Sequence, residues 1–296
     1  MKQNLVIFVL GAIALLSLPG CTGNTSTSSD VTTTTTPSDT QASIKAGGSS
    51  SALDFLRALE VAYESTSKNK QITLLEPGQS ENIIAGIKQG LVDVGAISKT
   101  LKPEENDGTL EFREVAKDAL VVATNSSVTG VKNLTTENLK AIYSGSVTNW
   151  QQLGGQNAQI VVLDRPEDES AKRLLRKYYL GKDLKNAANA VVLRKEGELI
   201  QTIQSTPHSI GAFSLAHAVS HKLPVNRLSL NNIEPTLENL KTGKYQMTRT
   251  ITVVWSKKAS EATKSFINYI LSPSGTEILE QSSFVSITPA AVSQVK

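Results

Sequence analysis

The chain of 296 residues contains a single cysteine, Cys21, so no disulfide can form within it. Its sequence has no Gly-x-Ser-x-Gly nucleophile elbow and no glycine-rich loop of the Rossmann or Walker type. The formal net charge is only +3, and no basic run is interleaved with aromatic residues, which make up 5% of the chain. These absences argue against a thiol nucleophile, a nucleotide-dependent enzyme and a nucleic-acid-binding protein.

Histidine is also scarce, with His208, His217 and His221 in the whole chain. His217 and His221 are four residues apart, a spacing that would bring both imidazoles near one metal ion if the segment is helical. No acidic third ligand lies close to them in the sequence. We therefore interpret them as a solvated pair, and we expect no metal, no cofactor and no enzymatic activity.

Residues 1–21 have the pattern of a signal peptide. A basic Lys2 precedes an apolar run over residues 5–18, which is too short to span a membrane comfortably. The junction at Cys21 resembles a bacterial lipoprotein signal, although Pro19 replaces the commoner small residue. That resemblance implies cleavage before Cys21 and a lipid anchor in a bacterial membrane, facing the periplasm or the cell exterior. An ordinary signal peptide with an incidental cysteine is the alternative.

Residues 22–42 are dominated by serine and threonine and have almost no apolar surface to bury. They cannot offset the entropy of ordering, so they predict a tether. From Ser43 onward, strand and helix patterns alternate, which predicts an α/β architecture with largely parallel sheets. The predicted strands cover residues 71–75, 93–98, 119–124 and 159–165; predicted helices follow Ser51 and Ser80, cover residues 137–143, and follow Ser170.

Serine-bearing corners fall at the ends of several predicted strands. Ser50 and Ser51 follow Gly47-Gly48, Ser80 precedes a predicted helix, and Ser98 ends a short buried strand. Ligands of parallel α/β sheets lie beyond the carboxyl ends of the strands, near helix N-termini with unpaired N–H groups. The hydroxyls and amides therefore indicate an anion site, with simple helix capping by serine as the alternative.

A fourth corner carries a fixed positive charge. Arg165 ends a predicted strand, and Ser170 stands where the next helix begins. The guanidinium of Arg165 is suited to bind an oxyanion with two hydrogen bonds. Pairing of Arg165 with Glu167, Asp168 or Glu169 is the alternative.

Several longer motifs resemble one family, the phosphate-binding lipoproteins of bacterial ABC phosphate importers. The resemblance covers nearly the whole chain after the tether, and the stretch from Leu-Thr through Tyr-Ser-Gly to Thr-Asn-Trp is its most diagnostic part. The motifs are the Gly-Gly-Ser-Ser corner and residues 90–99, 133–139, 142–150, 165–170 and 209–213.

The resemblance implies a two-lobed type II periplasmic-binding-protein fold of class α/β, with mixed sheets flanked by helices and a two-strand hinge. Residues 43–115 and 256–296 would form lobe 1, and residues 116–255 would form lobe 2. Two C-terminal helices, at residues 262–271 and 275–281, would pack back on the first lobe. The ligand would lie in the cleft between the lobes of a monomer.

The resemblance also implies which side chains hold the ligand. By position these are Ser50, Ser51, Ser80 (or Gln79), Ser98, Arg165 and Ser170. Ser98 stands where the family often has an aspartate, and Ser170-Ala171-Lys172 replaces Ser-Gly-Thr. A buried carboxylate accepts a hydrogen bond from a protonated oxyanion and repels one without a proton. Glu81 is the nearest candidate for that carboxylate.

The function implied is that of an extracytoplasmic solute-binding lipoprotein. It would capture inorganic phosphate or a similar oxyanion and deliver it to the permease of an ABC importer. Two alternatives remain open. One is an anchored anion sensor, and the other is the same fold binding sulfate, molybdate or a small organic anion.

Overall fold

The structure is a computed structural model that describes residues 43–66 and 70–287. The predicted signal peptide, Cys21 and almost all of the predicted tether lie outside these residues. The described residues belong to one compact unit. Among the described helices, none combines the length and the apolar content that a membrane span requires.

The strands alternate with helices as the sequence predicts. They are β1 (Ser43–Gly48), β2 (Gln71–Leu74), β3 (Val94–Ile97), β4 (Leu110–Asn125), β5 (Asn133–Leu134), β6 (Val161–Asp164), β7 (Val191–Val192), β8 (Ser209–Ser214), β9 (Val225–Arg227), β10 (Ser229–Leu230), β11 (Thr248–Ser256) and β12 (Val285–Ser286).

The helices lie mostly between consecutive strands. They are α1 (Leu53–Ser65), α2 (Ser80–Lys88), α3 (Thr136–Ser144), α4 (Ser170–Leu175), α5 (Glu196–Ser205), α6 (Leu215–Ser220), α7 (Leu237–Lys241), α8 (Glu261–Ile270) and α9 (Pro273–Gln281). A single π-helical turn, Arg176–Leu180, continues α4.

The main sheet is mixed, with the strand order β2-β1-β3-β11-β4-β8-β6-β7. Strands β2, β1 and β3 run parallel to one another, and so do β8, β6 and β7. The antiparallel pair β11 and β4 lies between these two parallel groups. This arrangement agrees with the mixed sheets and two-strand hinge that the resemblance implies.

Strand β4 is longer than the sequence predicted because it pairs with two different neighbours. Its first part, from Leu110 to Ala119, pairs with β11, and its second part, from Leu120 to Thr124, pairs with β8. The sequence revealed only the second part, where every residue is buried. In the first part, exposed charged residues interrupt the apolar pattern.

Separate apolar clusters flank the two ends of β4. One contains Phe55 of α1, Phe266 of α8 and Leu279 of α9, so the C-terminal helices pack against α1 as the resemblance implies. Another contains Trp150 and Phe213, together with residues from the second part of β4. These clusters are compatible with two lobes, whereas the predicted lobe boundaries stay a prediction.

Gly48 is required for close packing at the first corner. A Cβ atom at this position would lie 3.1 Å from Cα of Leu53, a backbone atom that cannot move without shifting the start of α1. The glycine therefore lets helix α1 begin directly against the end of β1. The sequence predicted a tight turn here, and the structure adds this steric reason for it.

Candidate functional site

Four corners of the chain surround one cavity of about 270 Å³. They are the turn after β1, the turn before α2, the end of β3 and the turn before α4. Five of the six predicted ligand-binding residues line this cavity; they are Ser50, Ser51, Ser80, Ser98 and Ser170. Gln79, the alternative to Ser80, lines it as well. Arg165 is not among the lining residues.

Three hydroxyls form a cluster on one wall of the cavity. The Ser98 Oγ atom lies 2.5 Å from Ser49 Oγ and 2.6 Å from Ser51 Oγ. Parallel pairing of β1 with β3 brings the two strand ends side by side and so creates the cluster. The three hydroxyls share two hydrogen bonds among themselves, so one O–H group is left to donate to a ligand.

The helices that begin at the cavity differ from most others at their first turn. No side chain caps α1, α2 or α4, so the serines at these three corners do not act as N-caps. By contrast, a serine or threonine hydroxyl caps α3, α6, α7, α8 and α9. The uncapped helix starts keep N–H groups and a partial positive charge directed toward an anion.

Charged side chains of both signs line the cavity. Lys99 and Arg173 are the cations, and Glu81, Asp168 and Glu169 are the acids. Lys99 Nζ donates a hydrogen bond of 2.7 Å to Glu81. Burial alone would raise the pKa of Glu81, but its hydrogen bonds and the charges of Lys99 and Arg173 together outweigh burial and lower the pKa. Glu81 is therefore ionised at neutral pH.

Arg165 lies behind the cavity wall, with 3% of its surface exposed. Its Nη2 atom donates to Glu169 Oε2 at 3.0 Å, which is one of the ion pairs that the sequence left open. Its Nε and Nη1 atoms are buried and have no hydrogen-bond partner among the described residues. Binding of an oxyanion by Arg165 therefore stays a prediction, with Glu169 connecting this arginine to the cavity.

A second arginine, Arg249 of β11, lies in a buried ion network. Its guanidinium donates to Asp118 of β4 at 2.9 Å and to Glu196 of α5 at 3.0 Å. Burial raises the pKa of Asp118 to about 6, because loss of hydration outweighs the attraction of Arg249. Burial would also raise the pKa of Glu196, but there the charge of Arg249 prevails and lowers it.

The same guanidinium reaches both sides of the cavity. Arg249 Nη1 lies 3.4 Å from Ser170 Oγ, and Nη2 lies 3.4 Å from the backbone oxygen of Ser51. Arg249 therefore connects the corner before α4 with the corner after β1. Its position on one of the two central antiparallel strands makes that connection possible.

Lys172 explains the departure from the family's Ser-Gly-Thr corner. Its side chain is fully buried and points away from the cavity, where Nζ donates to Asp164 at 2.5 Å and to Asn186 at 3.0 Å. The lysine thus anchors α4 to the end of β6. Lys172 is not among the residues that line the cavity.

The sequence analysis missed three charged residues around the site. Lys99 directly follows Ser98, and Arg173 lies three residues after Ser170 on the same helical face, so both could have been found from their spacing. Arg249 gives no such signal. Its partners lie 131 and 53 residues away, and only the folded sheet brings them together.

The sequence matches the family profile described as the PBP superfamily domain over residues 33–274. It is 28% identical over 257 residues to the phosphate-binding protein PstS of Borreliella burgdorferi, covering 84% of this chain and 91% of that protein. It is 24% identical over 278 residues to the phosphate-binding protein PstS of Bacillus subtilis, covering 92% of this chain and 90% of that protein.

A solved structure from Clostridium perfringens is also similar. It is described as a phosphate ABC transporter substrate-binding protein with bound phosphate, and it aligns with a TM-score of 0.72 and 26% identity. The alignment covers 83% of this chain and all of that chain. With the mixed sheet and its flanking helices, these similarities confirm the predicted periplasmic-binding-protein fold. Because the family match spans most of the sequence, this chain belongs to the PBP superfamily.

Proposed function

We propose that this protein is an extracytoplasmic solute-binding lipoprotein that captures inorganic phosphate and delivers it to an ABC importer. The observation that carries the proposal is the convergence of serine hydroxyls and uncapped helix starts on one cavity. The curated relatives in Borreliella burgdorferi and Bacillus subtilis, both named phosphate-binding proteins, support phosphate as the ligand.

The chemistry of the cavity suits a small, strongly hydrated anion. Phosphate offers several acceptor oxygens, and the cavity offers O–H groups, helix-start N–H groups and the cations Lys99 and Arg173. Hydrogen bonds to a charged group are about twice as strong as neutral ones. Many such donors, placed before the ligand arrives, can replace the water that phosphate loses.

Selectivity for phosphate over sulfate requires an acceptor for the phosphate proton. Glu81 lines the cavity and is ionised, as the sequence analysis expects of the missing carboxylate, and Asp168 and Glu169 line it too. A carboxylate in contact with the ligand would accept a hydrogen bond from the P–O–H group of hydrogen phosphate and repel sulfate, which has no proton to donate. Ser98, at the position where the family often has an aspartate, favours the alternative of a less selective oxyanion receptor.

Capture would involve closure of two lobes around the anion. Ser51, Ser80 and Ser98 would hold the ligand from one side, and Ser170, with Arg165 behind it, would close from the other. The strands β4 and β11 would act as the hinge. Closure excludes water, which strengthens the charge-assisted hydrogen bonds and presents both lobes to a permease.

The location follows from the N-terminal sequence. We propose that the signal peptide directs the chain out of the cytoplasm and that lipid on Cys21 anchors it to a bacterial membrane. The tether would hold a monomeric binding unit near the permease. Because the relatives are named as binding proteins, we propose no enzymatic activity and no cofactor.

Calorimetric titration of residues 41–296 with phosphate and then with sulfate, at matched ionic strength, tests this function. We expect tight binding of phosphate, and little binding of sulfate if a carboxylate contacts the ligand. Comparable binding of both anions would identify a general oxyanion receptor, and binding of neither would overturn the ligand assignment. If binding is tight, loss of phosphate uptake on deletion of the cognate permease would distinguish an importer component from a sensor.

A matched pair of variants tests the selectivity residue. Glu81→Gln removes the charge from the cavity, so we expect the preference for phosphate over sulfate to shrink. Glu104→Gln removes an exposed glutamate that does not line the cavity and should leave both affinities unchanged. An unchanged preference in Glu81→Gln would move this role to Asp168 or Glu169.

A further inference from the structure

Three side chains with metal-ligating atoms converge at a second place on the molecule. Asp54 lies on α1, His217 lies on α6, and His221 directly follows α6. One potential ligand atom from each residue lies within 4.8 Å of the others. The imidazole rings of the two histidines stack, with their centroids 4.0 Å apart and their planes 17° from parallel.

The acidic residue of this cluster comes from a distant part of the sequence. The sequence analysis favoured a solvated histidine pair because no acidic residue lies nearby along the chain. In the folded protein, Asp54 Oδ2 forms a hydrogen bond with His217 Nδ1, across a separation of 163 residues. Asp54 therefore supplies the acidic third ligand that the sequence around the two histidines lacks.

The donor set suits a transition metal. Zinc and other first-row divalent transition metals bind imidazole and carboxylate groups. Three protein ligands would leave the fourth position of a tetrahedral site for water. With zinc bonds of about 2.0–2.1 Å, tetrahedral ligand atoms lie roughly 3.4 Å apart. His221 is exposed and Asp54 and His217 are about one-fifth exposed, so side-chain rotation can close the remaining gap.

A simple ion pair accounts for Asp54 and His217, but it gives no role to the second imidazole stacked against them.

We propose that Asp54, His217 and His221 bind a divalent transition metal of the zinc class and so join α1 to α6. The ion takes the place of the proton that His217 Nδ1 and Asp54 share, and a ring nitrogen of His221 completes the protein ligands. Helix α1 begins directly after the serine corner of the cavity. The metal therefore restrains the helix that begins two residues after Ser51, a residue that lines the proposed anion site. This role is separate from anion binding itself.

Titration of the full chain with zinc chloride, in detergent and in phosphate-free buffer at neutral pH, tests the site. All samples carry Cys21→Ser, which removes a thiol that would itself bind zinc. We expect one zinc ion per chain and a rise in the thermal unfolding temperature on zinc addition. Magnesium, which prefers oxygen ligands, should produce neither effect.

Variants of two of the three ligands and of one neighbour separate a metal site from an ion pair. His221→Ala and Asp54→Asn should each weaken zinc binding by about tenfold or more, the range for loss of a metal-site group. Arg57→Ala, which removes an exposed charge 3.9 Å from Asp54 on the same helix, should keep zinc affinity. Unchanged affinity in His221→Ala, or no zinc-dependent rise in unfolding temperature, would overturn the proposal and leave an Asp54–His217 ion pair.

Discussion

Arg249 and Arg165 are both buried beside the cavity, yet they are satisfied to very different degrees. Arg249 donates to two carboxylates and also approaches Ser170 and the Ser51 carbonyl. Among the described residues, the guanidinium of Arg165 donates to Glu169 alone, and its Nε and Nη1 atoms have no partner.

Buried polar groups in folded proteins almost always have hydrogen-bond partners, so each exception requires an explanation. For Arg249 the partners come from the protein itself, which makes it a structural residue that fixes the central strands. For Arg165 the two free donors are available to a ligand or to groups that approach on closure. The comparison predicts opposite outcomes when each arginine is removed.

The largest expected effect is on folding. Arg249→Met would leave Asp118 and Glu196 buried without their cation, so we expect the free energy of unfolding to fall by about 3–5 kcal/mol. Urea denaturation followed by circular dichroism measures it. Arg113→Met, at an exposed position of β4, is the matched control and should change the midpoint little.

A second test of the Arg249 network restores neutrality. Combining Arg249→Met with Asp118→Asn and Glu196→Gln removes the uncompensated charges, so part of the lost stability should return. If Arg249→Met alone unfolds at the same urea concentration as the unmodified protein, the network has no structural role. The contrast between the two arginines would then fail.

A smaller effect is expected for Arg165, and it concerns phosphate binding instead of folding. Arg165→Ala should weaken phosphate binding by roughly 1.5–3 kcal/mol, the range for hydrogen bonds to charged groups. Calorimetric titration of residues 41–296 measures the change, with Arg113→Ala as the control. Unchanged affinity in Arg165→Ala would show that Glu169 is the only partner this arginine needs.

The smallest effect is a dependence of stability on pH. Asp118 has a pKa of about 6 in the folded protein against an ordinary value of 3.8, so between these values the folded state binds more protons than the unfolded state. Stability from this group is therefore lowest above pH 6 and rises as the pH falls, by about 1–2 kcal/mol between pH 6 and pH 4.5.

The pH window can be chosen to isolate Asp118. Glu196 has a lowered pKa, so its contribution is lost only below its ordinary value of 4.5. Urea denaturation between pH 4.5 and 6 should show the rise for the unmodified protein, and Asp118→Asn should remove it. Equal pH slopes in the two proteins would show that Asp118 is not protonated in this range.

The sequence predicted the site residues that lie next to a recognisable strand or helix. Ser51, Ser80 and Ser98 each follow or precede a recognisable element, and parallel strands then bring their corners to one edge of the sheet. The predicted helix over residues 137–143 is confirmed as α3, which Thr135 caps by accepting a hydrogen bond from Asn138 N.

What the sequence could not reveal depends on contacts between distant residues. No spacing pattern connects Asp54 with His217, or Arg249 with Asp118, because each pair meets only after the sheet has formed. The sequence offered three acidic residues as possible ion-pair partners of Arg165. Which of them forms the pair depends on the backbone conformation of the turn before α4, which the sequence does not determine. The carboxylate that selects the ligand stays undetermined for the same reason.

The place of β11 in the sheet has a consequence for folding. It joins β3 to β4, so the two strand groups that these strands belong to stay unconnected through β11 until the chain has continued more than a hundred residues, to Ser256. Pairing over such long sequence separations is slow, because the entropy of closing the loop is lost before the contacts form. A chain synthesised from its N-terminus thus completes this sheet late. Under the proposed export of this chain, that delay would keep the polypeptide unfolded for translocation until nearly all of it has been made.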